Sequence, residues 1–216
     1  MNRRSTRKWF AGALLLVAFG SAQALQCLEP GKSIAYQAPG NPEFVFLDSQ
    51  PDGDYEFKLP DGAYQHVSES VPGKLLFKLD DVIYEFWTIA ASRFVDEGGR
   101  SDPTEILPRY ADGGLQQAQK QGSPYQTPQE LGRTLRPSYK SMPAIYFLRW
   151  RLGPADPKDM RGIYYLSTVA GDRIATLAAN VEEPSQLALV QRRLDRFATS
   201  YRALEPDDTC PPLNKP

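Results

Sequence analysis

Two cysteines at opposite ends of a 216-residue chain, Cys27 and Cys210, restrict its fold more than any other feature. The segment before Cys27 reads as an export signal. Arg3, Arg4, Arg7 and Lys8 give it a basic start, Trp9 to Phe19 an apolar run, and Ala22-Gln23-Ala24 a small-x-small cleavage pattern. The apolar run is shorter than the ~20 residues that cross a bilayer. Residues 1–24 are therefore expected to be removed, leaving a mature chain that starts at Leu25 and works in the periplasm, with release to the medium as the alternative. In an exported chain, two cysteines are most simply one disulfide. Such a bond closes a loop around nearly the whole mature chain and is worth about 5 kcal/mol in the chain-entropy model. Two other uses of Cys27 fare worse. Lipid attachment needs a small residue just before the cysteine, and Gln26 stands there. A thiol redox catalyst needs closely spaced cysteines.

Residues 25–216 fit a single domain with a full core. The signal takes four of the 25 Lys and Arg residues and none of the 26 acids. The mature chain therefore carries 21 basic and 26 acidic residues, a net −5, which argues against general nucleic-acid binding. No second apolar run reaches membrane length, so no membrane span is expected.

The N-terminal half reads as short strands. Phe44 to Leu47, Tyr55 to Leu59 and Tyr64 to Ser68 are separated by turn-rich stretches at 48–54 and 60–62. Lys74 to Leu79 and Val82 to Phe94 flank Asp80-Asp81, a hairpin signal. The second of these runs alternates only partly, as in a central strand covered on both faces. Asp102 or Ser101 caps a helix that opens at Pro103 and runs to about Gln121, with Ile106, Leu107, Tyr110, Leu115 and Ala118 as its apolar stripe. Pro108, Gly113 and Gly114 weaken it. Residues 122–143 are polar and proline-rich and are expected to form a loop. Ala144 to Arg151 is strand-like, and Ile163 to Val169 and Arg173 to Val181 flank a tight Gly171-Asp172 turn. Pro184 then opens a helix whose stripe is Leu187, Val190, Leu194, Phe197, Tyr201 and Leu204, with Arg192, Arg193, Asp195, Arg196 and Arg202 assigned to solvent. Two helices on a mostly antiparallel sheet make an α+β fold, layered like an α/β/α sandwich.

The hairpin ending in Gly171-Asp172-Arg173-Ile174-Ala175-Thr176-Leu177 and the helix ending in Phe197-Ala198-Thr199-Ser200-Tyr201-Arg202 resemble the C-terminal layout of the PsbP-like and DcrB-like superfamily. That resemblance implies a small α/β/α sandwich, exported, and serving as an extrinsic subunit, accessory protein or inhibitor.

Catalytic signatures are sparse. His66 is the only histidine, so a Ser-His-Asp triad would depend on it alone, and a structural role is preferred. There is no Gly-x-Ser-x-Gly elbow, no dinucleotide fingerprint and no phosphate loop. No cofactor is expected. Asp48, Asp52, Asp54 and Glu56 with Gly53 partly mimic a calcium loop, but Gln50 and Leu59 stand where acids are needed, and an acidic turn is the preferred reading. No metal site and no catalytic residue is assigned. Trp87 and Trp150 are read as core, and one of Tyr164 and Tyr165 as exposed.

One regional signal points to a partner. Between Gly113 and Gly153 the charges are Lys120, Arg133, Arg136, Lys140, Arg149 and Arg151 against Glu130 alone. Tyr125 and Tyr139 are interleaved with them, and Arg and Tyr are typical of interface centres. Lys120, Tyr125, Arg133, Arg136, Tyr139 and Lys140 are the expected contact residues for an acidic protein or an anionic envelope component. The chain reads as a non-catalytic periplasmic binding or accessory protein, in one version an immunity or inhibitor protein. The alternative is a cell-envelope hydrolase using carboxylate acid–base chemistry.

Overall fold

The computed structural model describes residues 27–37, 40–50, 53–60, 62–66, 74–95, 102–120, 122, 128–138, 144–154, 156, 158–205, 208 and 210. Residues 1–24, read as a leader, lie outside the described residues. Among the described residues, eleven strands form two antiparallel sheets and two α-helices pack on them. The smaller sheet contains β1 (Ser33–Gln37), β2 (Glu43–Gln50), β3 (Gly53–Pro60) and the two-residue β11 (Arg202–Ala203), in that order. The larger contains β4 (Tyr64–His66), β5 (Lys74–Leu79), β6 (Val82–Ala90), β7 (Gln129–Arg136), β8 (Ile145–Leu152), β9 (Gly162–Ala170) and β10 (Arg173–Val181), in the order β4-β5-β6-β10-β9-β8-β7. Helix α1 (Pro103–Lys120) covers one face and α2 (Leu187–Ser200) the other.

The central strands explain the broken alternation read in their sequences. Tyr84, Phe86, Phe147, Tyr164, Leu166 and Leu177 point to one core, where they meet Phe46 and Phe57 of the small sheet and Val190, Leu194 and Phe197 of α2. Leu148, Trp150, Tyr165 and Ile174 point to the other, under Ile106, Leu107 and Tyr110 of α1. A strand covered on both faces has no polar side to show. Full burial of each such aromatic contributes about 2–3 kcal/mol. Tyr164 and Tyr165 do take opposite faces, but both are buried, because each face has its own helix.

Local chemistry sets the turns and caps. Asp80, at a φ of 53°, turns β5 into β6, and Gly171, at 58°, turns β9 into β10. The Asp102 carboxylate accepts the Thr104 amide at 2.8 Å and caps α1. Gly113 and Gly114 do not break that helix. A Cβ on Gly114 would lie 3.1 Å from Cη2 of Trp150, and one on Gly113 3.2 Å from Cε1 of Phe94. The glycines trade helix propensity, about 1 kcal/mol each, for close approach to the sheet. Beneath them a hydroxyl chain links the layers. Trp87 Nε1 donates to Tyr110 Oη, Tyr110 Oη meets Thr176 Oγ1, Thr176 meets Ser167 Oγ, and Trp150 Nε1 donates to Ser167, all at 3.0–3.1 Å. Burial pushes the Tyr110 phenol up to about 12, so this network stays neutral.

Further expectations need correction. The stretch 122–143 is not all loop, since β7 runs through it as an edge strand with a bulge between Glu130 and Gly132. An edge strand need not alternate apolar and polar residues, which hid it. Arg193 does not face solvent. It is fully buried, and its guanidinium donates to Asp80 Oδ2 at 2.6 Å, Leu79 O at 3.2 Å and Tyr84 Oη at 3.3 Å, so α2 grips the β5–β6 turn. The stretch read as an acidic turn, 48–54, is largely strand, since β2 runs to Gln50 and β3 starts at Gly53. The strand pleat puts Asp48, opposite Tyr55, on one face of the β2–β3 hairpin, with Asp54 and Glu56 on the other; Asp52 lies outside the described residues. Among the described residues, no three His, Cys, Asp or Glu side chains come together as a metal site.

Candidate functional site

The two ends of the domain meet as a clamp. Cys27 and Cys210 form the disulfide, with Cα atoms 5.3 Å apart. Around it, Asp54 Oδ2 accepts the amides of Cys27 at 2.5 Å and Leu28 at 3.2 Å, Ser49 Oγ donates to Leu28 O at 3.2 Å, and the Leu204 amide donates to Asp54 O at 2.8 Å. The bond is a structural staple, in keeping with an oxidising compartment.

The basic window is distributed rather than concentrated. Lys120 is the exposed last residue of α1. Arg133 is exposed on β7 and forms a two-pronged pair with Glu130, at 2.6 and 2.9 Å. That pairing holds the Glu130 carboxyl below its ordinary range. Arg149 pairs with Asp195 of α2. Arg151 is buried, donating to Gln129 Oε1 at 2.6 Å, Asp159 O at 3.1 Å and Tyr164 Oη at 3.2 Å. Tyr125, Tyr139 and Lys140 lie outside the described residues. Arg133 and Arg136 are not one patch, since residues three apart on a strand face opposite sides. Leu131 and Leu135 of the same strand are 41% and 65% exposed, unusual for leucines in a sheet and a patch the charge count did not reveal.

Arg136 has the most distinctive surroundings of the expected contact residues. Its Nη1 donates to Ala198 O at 3.2 Å and Tyr201 O at 2.6 Å, the carbonyls that end α2. A cation there complements the negative end of the helix dipole. Its Nη2 is buried without a hydrogen-bond partner, and desolvation holds the guanidinium below its ordinary value. Arg136 also opens onto a pocket of about 180 Å³. Tyr55, Ile145, Val169 and Tyr201 build much of its wall, with Arg202 and Glu205 also lining it. The Tyr55 and Tyr201 rings stack at 5.6 Å. Arg202 is committed elsewhere, to Asp208 at 2.7 Å and Glu56 at 3.4 Å. Five strands and the end of α2 contribute to this pocket. Only Arg136 was legible in advance, because the other residues come together through the fold alone.

Among the described residues lining the pocket, Glu205 is the one carboxylate. Burial pushes the Asp48 carboxyl up to about 6, but it is buried on β2 between Ser33 and Gln50 and does not line the pocket. His66 sits in β4 opposite Phe77. No helix among the described residues is long and apolar enough to cross a membrane.

The architecture places the chain among α+β layered proteins with two helices on antiparallel sheets. No protein-family model matches this chain, and no curated protein matches it. Among solved structures, it is similar to the solution structure of cyanobacterial PsbP (CyanoP) from Synechocystis sp. PCC 6803, at a TM-score of 0.46 and 14% identity, covering 83% of this chain and 97% of that one. That is a likeness of fold only, too low in TM-score for a role to be transferred.

Proposed function

We propose that this is a non-catalytic binding or accessory protein of the periplasm that docks an acidic protein partner on β7 and the Arg136 pocket. The observation that carries the reading is Arg136, a half-buried guanidinium with no carboxylate partner among the described residues, at the mouth of a largely apolar pocket. A partner Asp or Glu side chain entering the pocket supplies the missing acceptor, and burial strengthens the pair. Leu131, Leu135 and Arg133 of the same edge strand add apolar contact and a positive charge that steers the encounter, and Lys120, Tyr125, Tyr139 and Lys140 are proposed as further contact residues. Glu205 also lines the pocket, and its charge opposes an acidic ligand there. An inhibitor or immunity protein, which binds its target stoichiometrically, is the specific form proposed.

The test is affinity capture of the mature protein from periplasm, followed by titration of the captured partner. Arg136→Gln should weaken binding about tenfold or more, Glu205→Gln should tighten it, and Arg133→Glu should slow association chiefly at low salt. Binding that ignores both Arg136→Gln and Glu205→Gln would overturn the assignment of the pocket. Turnover of cell-wall material without any stoichiometric partner would favour the hydrolase.

A further inference from the structure

We infer that β7 takes its partner by strand addition: an extended segment of the partner pairs antiparallel with Arg133–Arg136, setting an acidic residue opposite Arg136 and an apolar one opposite Leu135. The inference deepens the docking reading above and rests on it for the acidic character of the partner. Among the described residues, β1, β4, β7 and β11 end their sheets, and β7, at eight residues, is the longest of the four. It pairs with β8 on one side and with no described strand on the other. Such an edge is a template for another extended chain.

Both ends of the template are marked. The bulge between Glu130 and Gly132 interrupts the ladder at one end. Pro137, which has no amide hydrogen, stops it at the other. Regular pairing is left for Arg133 to Arg136, of which Arg133, Thr134 and Leu135 are exposed. The register with β8 fixes where each one points. Arg133 and Leu135 lie opposite Leu148 and Tyr146, which pack toward α1. Thr134 and Arg136 lie opposite Phe147 and Ile145, which pack toward α2, and Ile145 shares the pocket with Arg136. An added strand inherits these faces, because directly opposed residues point the same way. Its residue opposite Arg136 meets a guanidinium whose Nη2 is buried without a hydrogen-bond partner, and a carboxylate there completes the pair. Its next residue meets Leu135, 65% exposed, and an apolar β-branched side chain covers it. Antiparallel pairing continues the pattern of the whole sheet. Charge disfavours a second copy as the occupant. Its Glu130 is held by its own Arg133 at 2.6 and 2.9 Å, which leaves β7 no acid to offer Arg136.

The probe is a blocked hexapeptide, acetyl-Ser-Glu-Val-Thr-Thr-Ser-amide, whose Glu falls opposite Arg136 and whose Val falls opposite Leu135. Titrated into the oxidised protein and followed by residue-resolved NMR, it should bind at β7 with a Kd of about 1 mM, since so short a ladder makes few bonds. Exchanging Glu and Val in the peptide should weaken binding about tenfold. N-methylation of one alternate pair of its four central amides should do the same, and of the other pair should change binding less than about twofold. In the free protein, alternate amides of 133–136, those turned away from β8, should exchange fast, and the bound peptide should slow them. No shifts at β7 with about 10 mM peptide, or equal effects of the two methylated pairs, would overturn the inference. Four slow amides in the free protein would overturn it as well, giving the edge to a second copy if dilution frees them and to this chain itself if it does not. The docking reading is judged separately, on the captured partner with Arg136→Gln and Glu205→Gln, and survives a failure of strand addition alone.

Discussion

Replacing Asp48 by Asn should stabilise this protein at neutral pH, against the usual effect of removing a hydrogen-bonded buried group. Asp48 is 5% exposed in β2, where its carboxylate accepts Ser33 Oγ at 2.7 Å and Gln50 Nε2 at 2.5 Å. Burial outweighs both bonds and the attraction of Arg173, while Asp54 adds repulsion, and the carboxyl is pushed up from 3.8 to about 6. An acid whose folded value lies above its unfolded value favours the folded state while protonated and penalises it once ionised. The stability it supplies is complete below about 3.8 and is lost as pH rises through about 6. That rise corresponds to about 3 kcal/mol of penalty at pH 8 and about 1 kcal/mol at pH 4.5. Asn cannot ionise and so escapes it. Any cost of refitting an amide between Ser33 and Gln50 is the same at both pH values and cancels in the comparison. Urea unfolding of wild type and Asp48→Asn at pH 4.5 and pH 8 should show the variant gaining about 2 kcal/mol on wild type over that interval. Parallel pH profiles within about 0.5 kcal/mol would refute the reasoning.

Two further outcomes follow from the clamp and from the buried arginine. Cys27→Ser with Cys210→Ser opens a loop of sequence separation 183 and should cost up to about 5 kcal/mol in chemical denaturation, less whatever the Asp54 contacts retain in the native state; a loss below about 1 kcal/mol would show that the staple is not what joins the ends. Asp80→Ala removes the carboxylate facing the fully buried Arg193 and should cost about 1–2 kcal/mol, discounted because the Asp80 side chain is 43% exposed. In the Arg193→Met background that cost should shrink to what the lost Ala63 amide bond to Asp80 Oδ1, at 3.0 Å, and the positive φ of 53° account for, and equal costs in both backgrounds would contradict the proposed grip of α2 on the β5–β6 turn.

The elements legible in the sequence were those whose signal is local. The Asp80-Asp81 and Gly171-Asp172 turns, the Asp102 cap and the stripe of α2 each depend on residues a few positions apart, and all are present. What was missed depends on distant chain. Arg193 is drawn inward by Asp80, 113 positions away, so its charge alone misassigned it. β7 has polar residues on both faces because it closes the edge of a sheet, and β11 is too short for any periodicity. The basic window was visible as composition, but the pleat of β7 divides Arg133 from Arg136, and Arg149 and Arg151 are spent on internal contacts. The pocket itself had no sequence signal beyond Arg136, since its walls are brought together from residues 55 to 205.

Hydrogen exchange of the mature protein with and without its captured partner tests the central claim most directly. Amides of β7, residues 129–136, and of residues 144–145 beside the pocket should exchange more slowly in the complex, with the α1 face over 103–111 unchanged. Protection confined to the α1 face or to the β4 edge, with β7 exchanging as in the free protein, would contradict the account.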